Sequence, residues 1–311
     1  MNFRTGRSEV PHATLTETRS GLRRIAAEAA QLPGLRRLAQ PVYRRMFRRP
    51  FQEEACYYGI YDSYAEAASA APATLPKSYD TTASGRMYHD RLDQVRVSDY
   101  PMIHWLSRLL ALGNRSVFDL GGHVGISYYG FSRYLDYPPD MRWTIHDVNA
   151  VVVAGRELAR RKDERGLLQF TDSRNGVDGS DIMISCGALQ YLDYTLAELL
   201  KPLRKRPAHV LINLTPMHRR MNFFTLQNIG FAICPYRVPA VPDFIADMER
   251  LGYRVEDHWE SFERSLHVPF SPEHDVDCYH GFYFRLATPI AMSAHAAGAA
   301  ELPRPAVQAM G

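Results

Sequence analysis

The chain of 311 residues is 46% hydrophobic and carries a formal net charge of +3. That is enough apolar content for a full core in one α/β domain with extensions, and too little charge to imply nucleic acid as a partner of the whole chain. No stretch approaches the roughly 18 consecutive apolar residues of a membrane span, and the opening MNFRTGRSEV has no apolar signal core, so a cytoplasmic protein is expected.

Residues 1–18 read as disordered. Residues 19–49 then concentrate nine arginines (Arg19, Arg23, Arg24, Arg36, Arg37, Arg44, Arg45, Arg48 and Arg49) against the single acid Glu28. Leu22, Ile25, Ala29 and Leu32 fall at helical spacing, Pro33-Gly34 interrupts, and Leu35, Leu38, Val42 and Met46 resume the pattern. This basic amphipathic pair is suited to peripheral contact with an anionic membrane surface or with an acidic partner. The favoured expectation is that its apolar stripe packs on the main domain.

Aromatic density rises in YYGIYDSYAEAASAA, where Asp62 or Ser63 followed by Glu66 marks a capped helix start. Arg86, Tyr88 and His89 are either polar surface residues of a linker or, where the helices before the first strand cover a ligand crevice, candidate lid residues; an amphipathic helix follows over residues 100–112, whose Ile103, Leu106, Leu109 and Leu110 share a face.

Residues 116–125, SVFDLGGHVG, read as a buried strand, a glycine turn and the start of a helix. A dinucleotide fingerprint would need glycine at Leu120 or at His123, so G-x-G-x-x-G fails in both registers. What fits is D-x-G-x-x-x-G, with Asp119, Gly121, Gly122 and Gly125 allowing a sharp turn and a close ligand approach. A helix over 126–135 leads to a second strand, WTIHD, that ends on Asp147, 22 residues beyond Gly125. An acid there can accept both ribose hydroxyls of a nucleoside, with Val148 beside it; capping of the next helix is the alternative, and the order strand, glycine turn, helix, strand and acid favours the ribose.

A helix over 150–162 ends in Arg160-Arg161-Lys162, which complements its dipole. A third strand over 167–171 closes on Asp172 and Ser173, and a fourth over 181–185 runs into CGALQYLDY. A helix over 195–204 leads to a fifth strand over 209–213. The segment LTPMHRRMNFFTLQNIGFAICPYRVP lacks clean periodicity and reads as an insertion that shapes a pocket. A helix over 241–251 is closed by Gly252, two late strands over 253–259 and 279–286 suit an antiparallel hairpin at the sheet edge, and residues beyond 288 read as disordered.

The glycine loop resembles the first motif of class I S-adenosylmethionine (AdoMet)-dependent methyltransferases, with His123 standing where the middle glycine falls. DIMISCGALQYL is similar to the motif that follows the fourth strand in these enzymes. The set YYGIYDSYAEA, KSYD, VFDLGGHVG, ISCGALQYL, LGY and YHGFYF also resembles a bacterial methyltransferase family often associated with surface-polysaccharide genes.

The resemblance implies a Rossmann-like α/β fold: a mostly parallel seven-stranded sheet with an antiparallel edge strand, plus an N-terminal helical extension. It divides the chain into a basic extension and lid (1–99), an AdoMet-binding domain (100–287) and a disordered tail (288–311). It implies that Asp119, Gly121, Gly122, Gly125, Asp147, Val148, Asp172, Ser173, Cys186 and Gly187 hold AdoMet, with Asp172 and Ser173 toward the adenine amino group. Gln190 and Tyr191 would face the acceptor, a small molecule or glycan.

Methyl transfer from a sulfonium needs alignment and removal of an acceptor proton. Tyr191 and His218 are the preferred candidates for that proton, with His123 and His280 as alternatives. Cys56, Cys186, Cys234 and Cys278 are widely separated without a C-x-x-C pair, so neither a disulfide framework nor a metal is expected. Two other outcomes remain open on the sequence. One is intramolecular displacement on the aminobutyryl arm of AdoMet; the other is a non-catalytic AdoMet-fold module.

Overall fold

The computed structural model describes residues 33–50, 56–81, 83–84 and 92–287. The expected helix before Pro33, the lid residues Arg86, Tyr88 and His89 and the tail beyond 288 lie outside the described residues.

The core is a seven-stranded sheet. Its strands are β2 (Ser116–Leu120), β3 (Arg142–His146), β4 (Leu168–Thr171), β5 (Ile182–Cys186), β6 (His209–Pro216), β9 (Tyr253–Ser261) and β10 (Tyr279–Leu286), in the order β4-β3-β2-β5-β6-β10-β9. The first five in that order are parallel, and β10 runs antiparallel between β6 and β9. The expected Rossmann-like architecture is present, and the reversed strand lies one place in from the edge because the late hairpin docks through its second strand. The outermost strand β9 presents exposed Arg254, Glu256 and Glu260, charges that discourage pairing with another chain.

Central strands are apolar on both faces because helices cover both. On one face, Val117, Trp143, Ile145, Ile182 and Ile184 pack against Met102, Ile103, Leu106, Leu109 and Leu110 of α3 (Tyr100–Ala111). On the other, Phe118, Leu120, Met183, Val210 and Ile212 meet Leu196, Leu199 and Leu200 of α6 (Leu196–Leu200) and Met248 of α7 (Val241–Arg250). From β2 the chain winds outward through β3 and β4; from β5 it winds the opposite way. The resulting switch point between β2 and β5 opens a crevice at the strand carboxyl ends, where α/β sheets hold ligands.

A second, antiparallel sheet joins β1 (Cys56–Tyr61), β7 (Phe223–Asn228) and β8 (Ile233–Val238) in the order β1-β7-β8. The segment read as an aperiodic insertion is therefore a hairpin. Its period-2 pattern is hidden because both faces are covered, and its buried Thr225, Gln227 and Asn228 look like loop residues. Tyr57, Tyr236 and Val238 pack toward Tyr279 on one side, while Leu226 and Ile233 meet Phe47, Ala67 and Ala71 on the other.

Helix α1 (Pro33–Phe47) attaches to this second sheet only by its end. Phe47 is 2% exposed, its ring lies 5.5 Å from that of Tyr58 with the planes tilted by 36°, and Asn228 Nδ2 donates to the Phe47 carbonyl at 2.6 Å. The expected packing of the whole stripe is not seen: Leu38 and Val42 are 73% and 69% exposed, because the helix runs away from the domain beyond Tyr43. Phe47→Ala is accordingly expected to cost about 3–5 kcal/mol in denaturant unfolding. Leu38→Ala should stay within about 0.5 kcal/mol of the parent.

Candidate functional site

A cavity of about 640 Å³ lies at the switch point. Its floor follows the order of the strands. Asp172 comes after β4, Asp147 after β3, the glycine loop after β2, Cys186 ends β5 with Gly187 after it, and Leu214 comes from β6. A smaller cavity of about 370 Å³ opens between α6, α7 and the second sheet, away from the glycine loop.

The glycine loop is shaped by contacts that only glycine permits. Gly121 has φ +72°, and a Cβ there would come within 2.2 Å of Ala188 Cβ, so the loop presses against the turn that follows β5. Its N–H donates to the His146 carbonyl at 2.7 Å, which ties the loop to β3. A Cβ on Gly122 would fall 2.3 Å from Asp119 Oδ2. Gly125, with φ +105°, leads into α4 (Ile126–Phe131).

Asp119 is fully buried beneath the loop and accepts from Trp143 Nε1 at 3.2 Å. It and Gly125 do not line the cavity; they form the loop that does. Burial pushes the Asp119 carboxyl up to about 7, against Trp143, which favours the charged form. A carboxyl raised on folding contributes stability that is intact below its unfolded pKa and lost as the pH climbs through its folded one. Relative to Asp119→Asn, the parent protein should lose stability between about pH 4 and 7. Paired thermal melts across that window check this.

Asp147 is held by two backbone donors, Val148 N–H to Oδ1 at 2.8 Å and His123 N–H to Oδ2 at 3.0 Å. Each oxygen keeps a lone pair for a ligand hydroxyl. Burial raises this carboxyl to about 6, against both backbone bonds. His123 occupies the left-handed region at φ 55°, and its Nε2 lies 2.8 Å from the Ser84 carbonyl, so it fastens the segment ahead of α3 over the loop. Asp80 Oδ1 accepts from Ala150 N–H at 2.9 Å at the start of α5 (Asn149–Lys162). The described stretch around Tyr79 and Asp80 thus lies against the cavity, which Tyr79 lines.

Val148, Asp172, Cys186 and Gly187 line the cavity; Ser173 does not, its exposed N–H being turned back to Thr171 Oγ1 at 3.0 Å. Burial, with the Asp119 carboxyl nearby, pushes the Cys186 thiol well up, so it is a neutral wall and no nucleophile.

Tyr191 lines the cavity but its hydroxyl is engaged. It donates to Gln227 Oε1 at 2.7 Å, and Gln227 Nε2 donates to Tyr57 in a buried network with Tyr236 and Tyr279. Burial and the neighbouring phenols hold its pKa well above the ordinary value, so Tyr191 is a poor proton acceptor. Its ring meets Tyr79 edge-on at 4.8 Å. His218 is not brought to the cavity. Strand β6 runs on to Pro216, past the expected end at 213, and carries His218 beside Pro239 and Ala240, where Nδ1 accepts from the Arg220 and Met221 N–H groups.

Sequence reasoning missed Arg96 and Asp99. Asp99 accepts from the Arg96 N–H at 2.9 Å and from Asn213 Nδ2 of β6 at 3.3 Å, which places it at the end of the cavity opposite Asp172. Its carboxyl is raised by burial. The signal present in the sequence was S-D-Y-P, a helix-start pattern that shows where Asp99 sits in the chain but not what it faces.

Neither a family model nor a curated protein sequence matches the chain. Solved structures do resemble it. A Burkholderia thailandensis 1,6-didemethyltoxoflavin N1-methyltransferase, with that compound and S-adenosylhomocysteine bound, is 18% identical over 65% of this chain and 84% of its own, at TM-score 0.41. The magnesium protoporphyrin IX methyltransferase of Synechocystis PCC 6803, with AdoMet bound, is 13% identical over 66% and 92%, at TM-score 0.41. A Streptomyces davawensis N,N-8-amino-8-demethyl-D-riboflavin dimethyltransferase is 14% identical over 66% and 56%, at TM-score 0.41. These are likenesses of fold, and the chemistry is assigned from the residues of the cavity.

Proposed function

We propose that the cavity holds AdoMet and that the protein transfers its methyl group to a small, ring-shaped acceptor. The observation that carries this is the order of groups along the sheet edge. From β4 to β6 is four strand spacings, about 19 Å, the reach of a nucleoside bearing an extended amino-acid arm. Asp172 and Val148 stand at the adenine end and Asp147 meets the ribose. The glycine loop leaves the room that a Cβ would fill beside Ala188. Arg96 and Asp99 offer a cation and an anion to the carboxylate and ammonium of the arm. The cavity volume falls within the range of small-molecule sites and leaves space for an acceptor.

When bound, AdoMet supplies an activated methyl group on a sulfonium. The chain's own contribution is to hold and align the reactants and to exclude water. Tyr64, Tyr79, Tyr191, Leu192, Leu214 and Cys234 form an aromatic and apolar stretch of the wall, with Lys77, Asp193 and Arg264 beside it, which suits a planar acceptor carrying polar groups at its edge. With its hydroxyl engaged by Gln227, Tyr191 positions the acceptor rather than taking its proton. Tyr191→Phe should therefore change turnover by less than about tenfold, against the 10²–10⁴-fold loss expected of a general base. Steady-state rates of both proteins on one acceptor decide between these.

The proposal is tested by incubating the protein with AdoMet, with and without a panel of phenols and heteroaromatic amines, and reading products by mass spectrometry. S-adenosylhomocysteine that forms only with an acceptor supports it. Methylthioadenosine formed without acceptor would instead indicate displacement on the aminobutyryl arm, and binding without turnover on any acceptor a non-catalytic module.

A further inference from the structure

Among the described residues, Glu260, Cys278 and His280 bring one carboxylate oxygen, Sγ and an imidazole nitrogen within 4.8 Å of one another. The hairpin of β9 and β10 makes the cluster. His280 pairs with Glu260, and Phe282 pairs with His258. Residues directly opposite in an antiparallel pair project to the same face, and so do residues two apart on one strand. Register and pleat therefore put His258, Glu260, His280 and Phe282 on one side. Cys278, just ahead of β10, joins them with Sγ 3.9 Å from His280 Nε2.

The surroundings fix the imidazole. His280 is 5% exposed, and its Nδ1 lies 2.9 Å from His258 Nε2. The His258 ring is in turn stacked on Phe282, with centroids 4.1 Å apart and planes within 11°. In the tautomer in which Nδ1 donates to His258, the lone pair of His280 sits on Nε2, on the side of Cys278 and Glu260. Cys278 is 6% exposed, while Glu260 stands at the solvent side and leaves that direction open.

We propose that Glu260, Cys278 and His280 form a three-ligand site for a zinc-class transition-metal ion, with His258 as the positioning residue behind His280. A tetrahedral ion about 2.3 Å from sulfur and 2.0–2.1 Å from nitrogen would set those two atoms about 3.6 Å apart. The observed 3.9 Å closes with a small side-chain movement. One thiolate, one imidazole and one carboxylate select a soft or borderline ion over magnesium or calcium. The fourth position falls to water. Binding releases the thiol proton to solvent and staples β9 to β10 at the sheet edge. None of the three ligands lines the AdoMet cavity, so the site is independent of the proposed methyl transfer.

Titration of the chelator-treated full-length protein with Co²⁺ tests the site. The expected result is one equivalent bound, with a thiolate-to-cobalt charge-transfer band that disappears in Cys278→Ser. His258→Phe should keep the band and weaken affinity roughly 10–100-fold, as loss of a group behind a metal ligand does. Glu260→Gln, at an exposed position, should also weaken binding. No charge-transfer band in the parent, a band that survives Cys278→Ser, or unchanged affinity in Glu260→Gln would each overturn the assignment.

Discussion

Alanine at position 147 is expected to weaken AdoMet binding about 10- to 150-fold, with the protein still folded. The charge-assisted acceptor that Asp147 offers to two ribose hydroxyls is worth about 1.5–3 kcal/mol, and each 1.4 kcal/mol is tenfold in affinity. The loss of fold is limited because burial already disfavours the charged carboxylate. Asp147→Asn, which keeps the shape and the acceptor for one backbone donor, should fall between alanine and the parent. Because the carboxyl is raised to about 6 and the charged form is the one that serves the hydroxyls, affinity of the parent should fall roughly tenfold between pH 7 and 5. That dependence should be absent from Asp147→Ala. Calorimetric titrations of the three proteins at the two pH values supply both comparisons.

Valine at Gly121 is expected to lose about 2–5 kcal/mol of stability and to abolish AdoMet binding. Two costs add. A left-handed backbone conformation costs a branched residue about 1–2 kcal/mol, and overpacking against a fixed neighbour costs about 1–3 kcal/mol. Ala188, which a Cβ would meet at 2.2 Å, belongs to the turn after β5 and cannot withdraw without moving the cavity wall. Gly166 separates the two costs. It also has positive φ, +67°, but has nothing within 4 Å of a Cβ, so Gly166→Ala should show the backbone cost alone. Denaturant unfolding of both variants measures the difference. Normal stability and binding in Gly121→Val would mean that the loop is a turn and nothing more.

The doubly wound sheet was legible because its strands are short apolar runs, each closed by a turn or an acid, with amphipathic segments between them. The same local signals located Gly121, Gly122, Asp147, Val148, Asp172, Cys186 and Gly187, all of which line the cavity, since strand carboxyl ends converge there by topology. Three features were hidden for a common reason: they depend on pairings between distant residues. The β1-β7-β8 sheet draws on residues about 170 apart, such as Tyr57 and Gln227. Asp99 reaches the cavity through Asn213, and the Glu260, Cys278 and His280 cluster exists only in the register of β9 against β10. His218 misled because the end of β6 could not be fixed to within three residues in a run as apolar as HVLINLTP.

The crevice at the switch point is proposed to be an AdoMet site. Calorimetric titration of the full-length protein at pH 7.5 with S-adenosylhomocysteine, beside an equal titration with NAD, tests it most directly. Saturable one-to-one binding of S-adenosylhomocysteine in the micromolar range, and no binding of NAD, is expected. Absence of S-adenosylhomocysteine binding, or comparable binding of NAD, would contradict it.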